Sequence, residues 1–99
     1  MKPDAVVTVS FFPMEMGGRR QSTPPDFFGC LMNIEGSMYD CRLVLTDVGA
    51  IAPGDTLDVP VKFLNYKSVE LVLKPNIEFK LYDGKPVASG VVKYICRDQ

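Results

Sequence analysis

Ile77-Glu-Phe-Lys-Leu-Tyr82, then Asp83-Gly84, then Lys85-Pro-Val-Ala-Ser-Gly-Val-Val-Lys-Tyr-Ile95 is the stretch that decides the fold. In its first arm Ile77, Phe79 and Leu81 alternate with Glu78, Lys80 and Tyr82, which predicts a strand with one face buried and one wet. Asp-Gly between two such arms is the strongest short-range hairpin signal, and the type I′ turn it favours needs positive φ at both central residues. The second arm is less regular. Val91 and Val92 are both apolar, which predicts cover on both faces, and Gly90 beside them predicts a bulge or a close backbone approach.

Outward from this hairpin the chain repeats the same grammar. Ala5 to Phe12 puts Val7, Val9 and Phe11 on one face and Thr8 and Ser10 on the other, and Pro13 ends the run. Phe27 to Ile34 and Met38 to Leu45 are two further strands, joined through Glu35-Gly36-Ser37, with Cys41, Leu43 and Leu45 opposed to Arg42 and Val44. Pro53-Gly54-Asp55 suits a type II turn, with proline at its second position and glycine at its third. Thr56 to Leu64 gives the cleanest alternation: Leu57, Val59, Val61 and Phe63 face one side, and Asp58, Pro60 and Lys62 the other. Pro60 cannot donate to a ladder, so the strand is at an edge there or bulged. Asn65-Tyr66-Lys67 is a connection, and Val69 to Leu73 is a short apolar segment. No segment carries ten residues of helical periodicity. The pattern predicts an all-β domain over residues 1–99, a small closed antiparallel barrel of about six strands, which removes exposed strand edges.

Composition narrows the function. The chain has 99 residues and a net charge of −1, with 11 basic and 12 acidic side chains. A protein that binds nucleic acid by neutralising phosphates usually shows a basic excess or stripe, and none is present. There is no histidine, so Ser-His-Asp and Cys-His mechanisms and histidine-containing metal sites are excluded. No Walker-type glycine loop occurs. We therefore expect no enzyme activity, cofactor, metal or nucleotide. The three cysteines, Cys30, Cys41 and Cys96, match no zinc spacing. An odd count without a secretory leader, and with no apolar run long enough for a membrane span, points to a cytoplasmic protein whose Met1 is its natural start.

The N-terminal strand, Gly17-Gly18-Arg19, Pro53-Gly54-Asp55, Asp83-Gly84 and Val87-Ala88-Ser89-Gly90-Val91-Val92 occur in an order and spacing that resembles the C-terminal β-barrel domain, the third domain, of elongation factor Tu. The likeness spans about Val6 to Ile95. It implies a non-catalytic barrel, since in that factor the GTPase chemistry belongs to the first domain. The third domain packs on its neighbours, contacts the T-stem backbone of aminoacyl-tRNA and helps bind the exchange factor Ts. Arg19 falls where the family has the tRNA-contacting arginine of its Gly-Gly-Arg-His loop, and Arg20 takes the place of the histidine. The family's Arg-Pro-Gln falls on Phe28-Gly29-Cys30.

Two candidate sites follow. The first is Gly17, Gly18, Arg19, Arg20 and Gln21, where glycines let the backbone approach a phosphate and two arginines grip it; the bland reading is a solvated loop. The second is an outward aromatic and apolar patch of Phe12, Phe28, Tyr39, Val92 and Tyr94. Adjacent Phe11-Phe12 and Phe27-Phe28 must each send one ring outward, and exposed aromatic patches mark protein contacts. Asp55 and Asp58 are near neighbours, but the turn accounts for Asp55 and an outward strand position for Asp58. Cys30 and Cys96 suit packing. The expected function is a stand-alone interaction module that binds a protein partner or forms a homodimer, one version being a decoy or immunity protein against a toxin that exploits the translation factor. The alternative is an accessory protein that binds tRNA backbone through the Gly17–Gln21 loop.

Overall fold

The alternating runs become six strands: β1 (Ala5–Phe11), β2 (Phe27–Ile34), β3 (Ser37–Val44), β4 (Thr56–Phe63), β5 (Glu78–Tyr82) and β6 (Pro86–Ile95). This is a computed structural model that describes residues 2–96. The strands close into a barrel in the order β1-β4-β3-β2-β5-β6, each neighbouring pair antiparallel and β6 returning to β1. Val7, Val9 and Phe11 of β1 meet Val59, Val61 and Phe63 of β4 and Leu43 of β3 in one core, all at most 3% exposed. Inward positions are apolar and outward ones mostly polar, so the period of two fixes the register.

Pro60 sits at a local edge. Val61 accepts a hydrogen bond from the Asp4 N–H, so Val61 faces the β1 side and Pro60 faces β3. The β3–β4 ladder covers only Val61 to Phe63, so the missing N–H lies just beyond its end. Val69 to Leu73 adds no seventh strand. Tyr66–Val69 forms one helical turn, α1, and Leu73 N–H closes back on Val69 O at 3.0 Å. The two buried residues there, Val69 and Leu73, are four apart, the spacing of a helix face and not of a strand.

The type I′ turn lies elsewhere than expected. Glu35 and Gly36 both have positive φ, 51° and 90°, and join β2 to β3 between the paired Ile34 and Ser37. The Asn33 side chain accepts the Gly36 N–H at 3.1 Å and supports this turn. At Asp83-Gly84 only the glycine has positive φ, and the loop runs three residues, with Asp83 N–H bonded to Lys85 O at 2.9 Å. Pro53-Gly54 turns as expected: Gly54 has φ 92° and Asp55 N–H reaches Ala52 O at 3.1 Å.

β6 owes its irregularity to two bulges. Tyr82 pairs with Pro86 and Leu81 with Ala88, leaving Val87 extra; Val7 pairs with Val92 and Val6 with Tyr94, leaving Lys93 extra. Each extra residue shifts the facing parity. Val87 and Ala88 are thus both buried, and Val92 turns in while Tyr94 turns out. Gly90 is a close approach and not a bulge. A Cβ there would lie 2.3 Å from Thr8 O and 2.7 Å from Cζ of Phe79, the residue opposite on β5.

Candidate functional site

The Gly17–Gln21 loop is built as a fastening. One turn of 3₁₀ helix, Met14–Met16, ends at Gly17, whose φ is 89°. Gly18 is buried against the backbone that follows β1: its N–H bonds Pro13 O at 3.0 Å, and a Cβ would sit 1.9 Å from Phe12 O. Arg19 then reaches across the barrel end. Its Nη1 lies 2.5 Å from Asp83 Oδ2, its guanidinium stands 4.7 Å over the Phe28 ring, and its Nε donates to Gln21 O at 3.4 Å. Lys85 Nζ closes the same junction by donating to Gly18 O at 3.3 Å. The Gly-Gly-Arg and Asp-Gly segments, far apart in sequence, are one contact. Arg20 and Gln21 are exposed. The glycines serve a tight chain path, and one of the two arginines is already engaged by a carboxylate and a ring.

The aromatic patch separates into inward and outward members. Each Phe pair sends one ring outward as expected, but for the second pair it is the other ring. Phe28 is 5% exposed and packs edge-on against Phe11, centroids 5.9 Å apart, whereas Phe27 is 48% exposed. The expectation for Phe28 is corrected because its partner on β3 is the fully buried Leu43. Val92 is corrected likewise: it is fully buried, and Val91 takes the outward position. Tyr94 is exposed, Phe12 is half-buried, and Tyr39 packs partly buried against the core.

A further concavity lies on the outer wall of β2 and β3, away from both candidate sites. On the outer wall Gly29 of β2 faces Arg42 of β3, and Leu31 faces Asp40 on one side and Tyr82 of β5 on the other. No atom lies within 4 Å of the position a Gly29 Cβ would take. Gly29 opens into a groove of about 590 Å³ whose lining includes Leu31, Arg42, Lys62, Leu64 and Tyr82. Arg42 is braced on the Phe27 ring, 4.8 Å from its centroid. Lys62 leans away toward Asp4, at 3.4 Å. Leu64 is 78% exposed. The one signal in the sequence is Phe27-x-Gly29-x-Leu31, an outward row of two large apolar residues with a gap between them.

The remaining polar clusters have structural partners. Asp55 Oδ2 accepts the Ala52 N–H across its turn. Asp58 accepts from Thr8 and Lys93, both at 2.6 Å, and the Lys93 bond chiefly holds its carboxyl below the ordinary range. Among the described residues no group of three or more His, Cys, Asp or Glu is placed to hold a metal, and no helix is long and apolar enough to cross a membrane. No protein-family model matches this chain, and no curated protein matches it in sequence.

Proposed function

We propose that this chain is a non-catalytic interaction module whose contact face is the outer wall of β2 and β3 around the Gly29 groove. The observation that carries the reading is the pairing of an empty position with a braced arginine: a dent over Gly29, beside Arg42 held by Phe27. Contact hot spots are built from aromatic and arginine anchors around a pocket that one side chain of the partner fills. The rim supplies Tyr82, Arg42, Leu31 and the outlying Leu64, a mixture typical of interface cores. The partner this face fits is a protein surface that offers an apolar side chain to the dent and a carboxylate to Arg42. The motif order that resembles the third domain of elongation factor Tu, on a barrel of compatible architecture, supports an imitation of part of that factor, with a decoy or immunity role as its concrete version.

Gly29→Val tests the reading. Valine projects into the dent, suits a strand, and its Cβ meets no atom within 4 Å. Capture on wild type is expected to retain a stoichiometric protein that Gly29→Val and Leu31→Asp release, with affinity down about tenfold or more, while Tyr94→Asp retains it. Sedimentation of the purified chain separates a second copy from a different partner. Retention by all three variants, or recovery of RNA alone, would overturn the proposal.

A further inference from the structure

Cys30 of β2 and Cys41 of β3 stand directly opposite each other inside the barrel, with their sulfurs 3.7 Å apart. The type of cross-strand pair follows from both ends of the ladder. The two-residue turn at Glu35-Gly36 is closed by Ile34 and Ser37, and at the far end Leu45 N–H bonds Asp26 O at 2.9 Å. Alternation from either end makes Cys30–Cys41 a hydrogen-bonded pair, for which the Cα atoms lie about 5.5 Å apart. Disulfides span Cα separations of about 4.4–6.8 Å, most often near 5.5–6 Å. The Cα separation is therefore within disulfide range, and closure requires the Cβ atoms, about 4.5–5.5 Å apart at opposed positions, to draw in to the roughly 3.5–4.5 Å of a disulfide.

We propose that Cys30 and Cys41 are a redox modification site, a dithiol that a small peroxide converts to a disulfide across β2 and β3. The Cys30 sulfur attacks one peroxide oxygen, the O–O bond breaks, and hydroxide leaves to give a sulfenic acid. The Cys41 sulfur then attacks the Cys30 sulfur, the S–S bond forms, and the second hydroxide leaves. The two thiol protons and the two hydroxides make two waters, and the two electrons lost by the sulfurs are those the peroxide gains.

Burial selects the oxidant and the order. The residues are 8% and 4% exposed, which favours a small oxidant such as hydrogen peroxide over a bulky tripeptide disulfide. Cys30 is the more accessible, so it reacts first. The Cys41 thiol is pushed far up, by its hydrogen bond with Cys30 and then by burial, which keeps it protonated and makes closure slow in the folded barrel. Cys30 and Cys41 also line the groove of the proposed contact face, and the hairpin their disulfide would cross-link carries that face. β2 and β3 are each held to their other neighbour by only three residue pairs.

The test uses the folded Cys96→Ser chain, which removes the partly exposed third thiol. After hydrogen peroxide, the protein is quenched, unfolded, alkylated and mapped by mass spectrometry. The expected result is joint loss of both thiols, a mass lower by two hydrogens, one cross-linked peptide pair holding Cys30 and Cys41, and full recovery of both thiols with dithiothreitol. Sulfinic acid on either cysteine without a cross-link, or two thiols that stay fully alkylatable, would overturn it.

Discussion

Arg19 and Asp83 are 64 residues apart in the chain and 2.5 Å apart in space. The pair closes one end of the barrel by tying the loop after β1 to the turn between β5 and β6. Its residue types suit phosphate binding, but its geometry is that of a clasp: the guanidinium faces a carboxylate and an aromatic ring inside its own fold. A clasp of this kind positions a loop without offering it to a ligand.

Arg19→Ala is expected to destabilise more than Asp83→Ala, because Arg19 also lies over Phe28. An ion pair with side chains 18% and 47% exposed contributes about 0.2–1 kcal/mol, and the ring contact adds roughly 0.5–1 kcal/mol. Urea midpoints for both single variants and the double variant would give the coupling. A coupling that disappears in high salt while the Arg19→Ala deficit persists assigns the remainder to the ring.

Three glycines should respond to the same substitution in opposite directions. Gly18→Ala places a methyl 1.9 Å from Phe12 O, and Gly90→Ala places one 2.3 Å from Thr8 O. Both neighbours are backbone and cannot step aside, so a loss of at least about 1–3 kcal/mol is expected. Gly29→Ala meets nothing within 4 Å and should stabilise by about 0.4–1 kcal/mol through the unfolded chain. Thermal melts of the three variants decide the ordering.

Most of the barrel was legible because its strands alternate. Phe27 to Ile34 is read to the residue, and Thr56 to Leu64 within one. What was not legible depends on who sits across the sheet. Facing parity cannot be assigned to Phe27-Phe28 until Leu43 is known to oppose Phe28. Val92 and Tyr94 share a face in an ideal strand, and only the extra residue Lys93, seen against β1, separates them. The helical turn at Tyr66–Val69 is too short to show a period. The candidate loop was legible as residues but not as chemistry, since its partner Asp83 lies at the opposite end of the sequence. The Gly29 groove is an absence in one strand framed by three others, which no local window displays.

Asp58 sets a prediction for pH. Hydrogen bonds from Lys93 and then Thr8 hold its carboxyl below the ordinary value of 3.8. A depressed carboxylate stabilises the fold above the unfolded value, and that contribution is lost as pH falls through the folded one. Lys93 is raised above 10.5, chiefly by Asp58, so its share is full below 10.5 and is lost as pH rises through its folded value. Asp58→Asn should flatten the acid limb of the urea midpoint below pH 3.8 and the alkaline limb above pH 10.5, and reduce their salt dependence. Limbs identical to wild type would assign the pH response to other groups.

Thr23 joins the loop before β2 to the long β3–β4 connection, and its hydroxyl is the part of that junction that can be tested alone. The residue is 4% exposed. Its N–H donates to Ile51 O at 2.9 Å, and its Oγ1 accepts the buried Ile51 N–H at 2.9 Å while donating to Pro24 O at 3.0 Å. Thr23→Val keeps the shape and removes the acceptor, which strands a buried N–H at a cost of about 1–3 kcal/mol. Thr23→Ser keeps the acceptor and loses one methyl, about 0.8 kcal/mol. In a domain of this size about 1 kcal/mol moves the melting midpoint by roughly 4–8 °C, so the two variants are resolvable by thermal unfolding. Valine should melt well below serine. The reverse order would mean that the methyl's packing, and not the hydroxyl's bond to Ile51, holds the connection to the barrel.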